Sequence, residues 1–211
     1  MDNLIYILFV SVFVPILLMA GLIEKRAREP ITFVLIGIFM SVFAAEINGL
    51  LCALLPMSTF EITIIVTPIT EEILKAAPIL VYATILSAKK EKLFTAAMAV
   101  GIGFAVLENA FYLLNDASFN MIDAIIRAFG AGLMHGMCTL LVGVGLSFAK
   151  KRKKIFVVGT FALLSTAITY HGIYNMLVQS DFEIIGFLLP MATYIPFFVW
   201  RIKNRNKKQS A

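Results

Sequence analysis

The sequence predicts an all-α, polytopic membrane protein in which about seven transmembrane helices form a single domain over residues 1–211. Its composition is 60% hydrophobic and 15% charged, whereas soluble domains are about 45–50% apolar and about 25% charged. Its apolar stretches are long enough to cross a bilayer, which takes ~20 helical residues. Its basic residues cluster in alternate connections, which is typical of multi-pass membrane proteins.

Seven apolar stretches follow one another along the chain, separated by charged or polar segments. They cover residues 3–23, 31–55, 62–88, 94–114, 122–149, 155–178 and 184–200. The first stretch is preceded by Asp2, where a signal peptide would carry basic residues, and it is too long for a signal sequence. We therefore predict that it is an uncleaved helix. The other six are predicted to span because each is long and is bounded by charges.

The charges of the connections alternate in sign. Four segments hold 16 of the 18 Lys and Arg residues, namely 25–28, 89–92, 150–154 and 201–208. The remaining segments carry only acidic charges, namely Asp2, Glu61, Asp116, Asp123, Asp181 and Glu183. Because basic loops stay in the cytoplasm, the N-terminus is predicted outside and the C-terminus inside. The net charge of +5 therefore indicates orientation and contact with anionic lipid, and no nucleic-acid partner is predicted.

Eight ionisable residues remain inside the predicted spans. Such groups are costly in a bilayer unless they are paired or hydrated, so each one suggests a functional site. They are Glu46, Glu71, Glu72, Lys75, Glu108, Arg127, His135 and His171. Arg127 is a candidate partner of the substrate or of a carboxylate, whereas Glu46 is expected to be an interfacial or packing residue.

The depths of these groups are similar. At ~1.5 Å per helical residue, Glu71 and Glu72 lie roughly 15 Å from the outer end of their stretch. The same rise places Glu108 roughly 9 Å, His135 roughly 20 Å and His171 roughly 10 Å from the outer ends of theirs. Four different helices thus bring polar groups towards the outer half of the membrane. This pattern predicts a shared cavity that opens to the outside.

Helical spacing places Lys75 beside the glutamate pair. Lys75 follows Glu71 by four positions and Glu72 by three, so its ammonium group can pair with either carboxylate. Pro68 and Pro78 flank the pair. A proline inside a span leaves a backbone carbonyl without its donor, so we expect a free carbonyl near the site.

Two further pairs share helix faces. Phe104 and Glu108 lie four positions apart, with Asn109 next to Glu108. His171 and Asn175 have the same spacing, so the amide is placed to hydrogen-bond the imidazole or a substrate. These side chains are expected to support the site.

Glutamates and histidines in a semi-buried site suit peptide hydrolysis. A carboxylate can activate water, and a histidine can stabilise the oxyanion or protonate the leaving amine. Alternatively, histidines and one glutamate hold Zn²⁺ while a second glutamate acts as base. The sequence lacks the H-E-x-x-H helix of many zinc proteases. Both mechanisms remain open at this point.

The spacing of these residues resembles that of the PrsW intramembrane proteases, over essentially the whole chain. Residues 71–75 read EExxK, residues 104–109 read FxxxEN, His135 lies in the next stretch, and residues 171–175 read HxxxN. The related CAAX prenyl endopeptidases and bacteriocin-processing enzymes usually carry EExxxR and a second motif that ends in His. Lys75 and Glu108 stand at those positions here, which favours PrsW.

The resemblance implies a peptidase of the prokaryotic plasma membrane. It implies site-1 cleavage of a single-span anti-sigma factor on the extracytoplasmic side, which starts a stress response. The implied catalytic residues are Glu71, Glu72, Glu108, His135 and His171, supported by Lys75, Phe104, Asn109, Asn175 and Arg127. Glu71 and Glu72 would activate the water, and His171 would bind or polarise the scissile carbonyl. A metal, if one is needed, would be zinc on Glu72, Glu108, His135 and His171.

Three other functions fit parts of this pattern. A CAAX-type prenyl-protein endopeptidase would share the catalytic groups. A small proton-coupled transporter also needs buried Glu and His chains, but it should show inverted repeats, and none is detected. A receptor fits seven spans with an outside N-terminus, but it does not require paired glutamates.

Overall fold

The computed structural model describes residues 4–22, 24–86, 88–115, 121–148 and 153–209, and all regular secondary structure in these ranges is helical. The helices are α1 (Leu4–Leu22), α2 (Lys25–Leu54), α3 (Thr59–Glu61), α4 (Thr67–Thr84), α5 (Lys90–Asn115), α6 (Met121–Leu146), α7 (Lys153–Val178) and α8 (Glu183–Gln209). One π-helical turn, Ile62–Val66, joins α3 to α4, and we call it the π segment. The predicted all-α class is confirmed.

The predicted spans correspond one to one with helices, the third being α3, the π segment and α4 together. Four helices of the described chain are long and apolar enough to span by themselves, namely Ala27–Leu54, Lys90–Asn115, Ala124–Leu146 and Phe156–Val178. Shorter apolar helices cover Tyr6–Leu18 and Glu183–Pro196. α4 carries Glu71, Glu72 and Lys75 within 18 residues, and these charges lower its hydropathy.

The third span starts with a capped turn. Ser58 and Glu61 form a reciprocal capping box, in which each side chain accepts from the backbone N–H of the other residue. The N–H and hydroxyl of Ser58 lower the pKa of the Glu61 carboxyl below its ordinary value. The cap fixes where the chain turns back towards the bundle.

The ends of the helices next to the basic connections lie together. Glu29, in the first turns of α2, accepts hydrogen bonds from Tyr82 of α4 and, at 2.5 Å, from Lys92 of α5. Near the same end, Gly143 of α6 packs against Ala97. The helices therefore alternate in direction as the charge pattern predicts. Which membrane face each end occupies stays a prediction.

α5 and α6 form the centre of the bundle. α5 packs against α2 and α6, while α6 also packs against α7 and α8. α4 lies against α2, α5, α6 and α7, so its polar residues face three helices that carry their own polar groups. Peripheral α1 packs on α2 and α5, and its Tyr6 hydroxyl donates to Glu46 at 2.5 Å. Glu46 therefore has a packing role outside the central cluster.

Small residues set the spacing of α2 and α5. A side chain at Gly37 would overlap the backbone carbonyl of Val100, and one at Gly103 would overlap that of Val34. The two helices therefore approach until backbone meets backbone, as at small-residue interfaces in membranes. Gly49, in the outer part of the same α2, faces open space.

We predict that Gly37→Ala lowers stability by about 1–3 kcal/mol, because the added methyl group forces α2 away from α5. Thermal unfolding in detergent, followed by circular dichroism, measures the change. Gly49→Ala is the matched control: it should be neutral or stabilise by up to about 1 kcal/mol, since alanine is the better helix former. Equal destabilisation by both changes would contradict the close-packing explanation.

Candidate active site

The centre of the site is a glutamate and a lysine from α4 that are completely buried. The Lys75 ammonium lies 2.7 Å from Glu72 Oε1, and both side chains have 0% exposure. The same oxygen accepts a hydrogen bond from His171 Nδ1 of α7 at 2.8 Å. Glu72 therefore joins two helices, and Lys75 pairs with Glu72 rather than with Glu71.

Lys75 also reaches His135 on α6. Its ammonium lies 2.7 Å from His135 Nδ1, and the opposite ring nitrogen, Nε2, lies 2.6 Å from Glu108 Oε2 on α5. Because an ammonium group only donates, it requires Nδ1 to accept, which leaves the proton of the neutral ring on Nε2, facing Glu108. Glu72, Lys75, His135 and Glu108 thus form one continuous polar chain across three helices.

Phe104 covers this chain from α5. The Lys75 ammonium lies 4.6 Å from the centre of the Phe104 ring, and the His135 ring lies 5.2 Å from it. A cation over an aromatic face is attracted by the ring's negative potential. Phe104 therefore packs over the ion pair and stabilises the ammonium.

Glu71 occupies a different environment from Glu72. Asn48 of α2 donates to Glu71 Oε1 at 3.4 Å, while Oε2 is buried without a hydrogen-bond donor and lies 3.8 Å from His171 Nε2. In the neutral ring that donates from Nδ1 to Glu72, Nε2 carries the lone pair. Two acceptor atoms therefore face each other, which leaves this position open to a water proton or a cation.

Three side chains here match the ligands of a metal. One ligand atom each from Glu71, His135 and His171 lies within 4.8 Å of the others. Two histidines and a glutamate form the ligand set of several open catalytic zinc sites, and the unpartnered Glu71 oxygen fits such a cation. The ring of His171 is held by Glu72 in the way that outer carboxylates orient zinc-bound histidines. Both ring nitrogens of His135 already have partners, so binding there would replace a contact with Lys75 or Glu108.

The sequence-based metal set is altered by this geometry. It comprised Glu72, Glu108, His135 and His171, whereas the structure groups both histidines with Glu71. Glu72 is not part of this group, and its Oε1 binds Lys75 and His171. Glu108 lies on the far side of His135.

A cavity of about 650 Å³ reaches the cluster from the end opposite the Glu29 contacts. Its inner wall includes Glu108 and His135, whereas Glu71, Glu72 and His171 lie behind the lining. Its outer part is polar and includes Asn115, Gln179 and Glu183, and its α6 and α8 side is apolar, with Ile126, Met134 and Phe187. The predicted shared cavity is present, but it exposes only two of the five predicted catalytic residues.

Arg127 is positioned at the cavity as a partner of Glu108. Its Nη2 lies 3.8 Å from Glu108 Oε1, and its guanidinium carbon lies 3.8 Å from the centre of the Tyr112 ring. Asn109 donates to the Arg127 carbonyl at 3.4 Å and so ties α5 to α6. Of the two roles expected for Arg127, the carboxylate contact is therefore present.

Two polar contacts differ from the sequence-based expectation. Among the hydrogen bonds of the described residues, Asn175 donates from Nδ2 to the Thr63 carbonyl of the π segment at 3.0 Å and not to His171. Asn48 was missed altogether, although an amide inside an apolar stretch was a usable signal. Tyr112 was also missed, because an exposed aromatic residue near a helix end resembles the ordinary tyrosines of membrane interfaces.

Comparison with known proteins gives one match. A family model described as "PrsW family intramembrane metalloprotease" matches residues 27–201 of the chain. This range includes α4 to α7 and almost all of α2, and therefore every residue of the cluster, but it excludes α1. No curated protein and no solved structure matches.

We predict that Lys75→Met destabilises the protein by about 3–5 kcal/mol, because it leaves the Glu72 carboxylate buried without its cation. The matched control is Lys92→Met, which removes a lysine–glutamate pair whose lysine side chain is 57% exposed; exposed pairs contribute about 0–1 kcal/mol. Unfolding of the detergent-solubilised variants by heat compares the two. Equal losses of stability in the two variants would show that burial does not increase the contribution of the Lys75 pair.

Proposed function

The chain belongs to the PrsW family of intramembrane metalloproteases and is therefore a membrane-embedded peptidase; we propose that Glu71, Glu72, Glu108, His135 and His171 form its catalytic site. The observation that carries this proposal is the buried Glu71 oxygen, which has no donor and faces the lone pair of His171. A purely structural network would satisfy both atoms, because unpaired buried acceptors are costly.

The two adjacent glutamates have different roles in this proposal. Glu71 is the general base, since its free oxygen can accept a proton from the attacking water. Glu72 is committed to Lys75 and His171 at 2.7 and 2.8 Å, so it orients the His171 ring and balances the Lys75 charge. His171 then places its Nε2 where the water and the scissile carbonyl meet.

His135 and Glu108 serve the leaving group. They are the two members of the cluster that line the cavity, and His135 Nε2 holds its proton towards Glu108. A peptide bond broken at the inner wall releases its amine on their side. Arg127, next to Glu108, is positioned to bind a carbonyl or carboxylate oxygen of the substrate, and Tyr112 keeps the guanidinium in place.

Zinc fits the ligand atoms of Glu71, His135 and His171, and in that arrangement Glu71 would be a ligand of the ion instead of the general base. When bound, such an ion polarises a carbonyl and lowers the pKa of a bound water. In that case Glu72 continues to hold His171 through Nδ1, and Lys75 offsets the negative charge of the glutamate pair.

We further propose a single-span membrane protein as the substrate, cut on its extracytoplasmic side. The cavity opens at the end away from the basic connections, which the positive-inside rule places outside the cell. Its polar mouth and apolar wall suit an extended segment that leaves the end of a transmembrane helix. The family resemblance suggests an anti-sigma factor and site-1 cleavage, which would free a sigma factor during envelope stress.

We predict that Glu71→Gln and His171→Ala each lower kcat by about 10²–10⁴-fold, the range for loss of a general acid or base. The assay uses the purified protein in liposomes with candidate single-span substrates, and cleavage is read by mass spectrometry. The matched control is Glu46→Gln, which changes a glutamate of the same membrane region that contacts only Tyr6 among the described hydrogen bonds. Wild-type rates in both site variants would reject the assigned site.

We predict that the purified protein holds about one zinc ion per chain, since structural and catalytic sites of this ligand type bind the metal tightly. Elemental analysis after dialysis gives the stoichiometry. His171→Ala should lose the ion, whereas Glu46→Gln should retain it. Full cleavage activity after verified removal of all metal would support a metal-free glutamate mechanism instead.

A further inference from the structure

The π segment leaves one backbone carbonyl without its usual donor. In this wider turn the N–H of Thr67 reaches back five residues to the Ile62 carbonyl. The next bond in the same pattern would run from residue 68 to the Thr63 carbonyl, but residue 68 is proline and has no N–H. Thr63 therefore presents a free carbonyl oxygen towards the neighbouring helix, about two helical turns before the glutamate pair.

Asn175 of α7 supplies the missing donor. Its Nδ2 donates to the Thr63 carbonyl at 3.0 Å. Asn175 lies one helical turn after His171, so the same face of α7 carries the imidazole and the amide. The bond therefore links the π segment, which leads into the helix of Glu71 and Glu72, to the turn after His171.

Gly172 permits α7 to come this close. A Cβ atom at Gly172 would lie 2.6 Å from the Ile64 carbonyl oxygen, which is an impossible distance. Two consecutive carbonyls of the π segment therefore face α7, and each has its own complement: Asn175 binds that of Thr63, and Gly172 leaves room for that of Ile64.

We infer that Asn175 is a positioning residue: it replaces the N–H that Pro68 lacks and thereby fixes His171 against Glu72, instead of donating to the oxyanion of the substrate. This inference rests on the proposed catalytic roles of His171 and Glu72. One of the two amide protons is committed to a backbone carbonyl, and this bond holds the amide nitrogen beside the π segment. Small displacements of catalytic groups are sufficient to slow a reaction by about a hundredfold.

The test compares Asn175→Ala with the double variant Pro68→Ala/Asn175→Ala, using the full-length protein in liposomes. Asn175→Ala should lower kcat by about ten- to a hundredfold with little change in KM, since positioning affects chemistry more than binding. Alanine at residue 68 restores the backbone N–H, so the double variant should recover most of kcat. Thr169→Ala, which removes an exposed side-chain bond within the same helix, is the control and should act as wild type.

Absence of recovery in the double variant, with Pro68→Ala alone active, would overturn the inference and assign the amide to the reacting carbonyl. Should Pro68→Ala alone be inactive, NMR of the ¹⁵N-labelled Asn175 side chain decides. One amide proton must be protected from solvent exchange in the wild type, and rapid exchange overturns the inference. The NMR measurement also distinguishes the positioning role of Asn175 from the proposed catalytic site. If the amide proton is protected but the wild type cleaves no substrate, the catalytic assignment is rejected and the positioning bond is retained.

Discussion

The structure depends on one buried cation. Lys75 has no exposed surface and lies 2.7 Å from both Glu72 and His135, so it joins α4 to α6 and, through Glu72, to α7. Without its charge, a carboxylate in the middle of the bilayer would have to be protonated or would disrupt the packing. With it, three glutamates and two histidines from four helices can be assembled where water is scarce. The short spacing of the EExxK motif is therefore a requirement of charge balance as well as a family signature.

The two glutamates of that motif illustrate how neighbouring identical residues acquire different chemistry. Glu72 holds two strong, charge-assisted bonds on its Oε1, whereas Glu71 receives a single long bond from Asn48. The difference comes from helical direction, since adjacent positions point about a hundred degrees apart around the axis. Glu72 faces the Lys75 ammonium, and Glu71 faces the Nε2 atom of His171. A motif of two glutamates thus places one carboxylate beside the Lys75 cation and the other beside His171 Nε2.

The fold and most of the site could be predicted from the sequence, because membrane burial leaves few explanations for an ionisable residue. The order of the helices agrees with the order of the apolar stretches. Lys75 pairs with a glutamate of its own helix, as their spacing in the sequence predicts. The side chains of Glu108, His135 and His171 lie close together, as their estimated depths predict. The partners of Asn175 and Glu71 could not be predicted, because they depend on contacts between helices. The π segment adds one residue to a turn and rotates the rest of the helix. No local sequence pattern predicts such a turn. The prolines predict a backbone carbonyl that lacks its helical donor, but a sequence does not tell which helix will bind it.

The half of the bundle that contains the Glu29 contacts is packed differently from the half that contains the cavity. Below Lys75, the interior is filled by Ile79, Ala97 and Val100, none of which has exposed surface, and beyond them Glu29 ties three helix ends together. These buried apolar residues therefore separate the cavity from the end of the bundle where the Glu29 contacts lie. A chain of glutamate, histidine and lysine open at both ends would conduct protons. Here the buried apolar residues close one end, so the polar chain does not form a continuous path across the bundle.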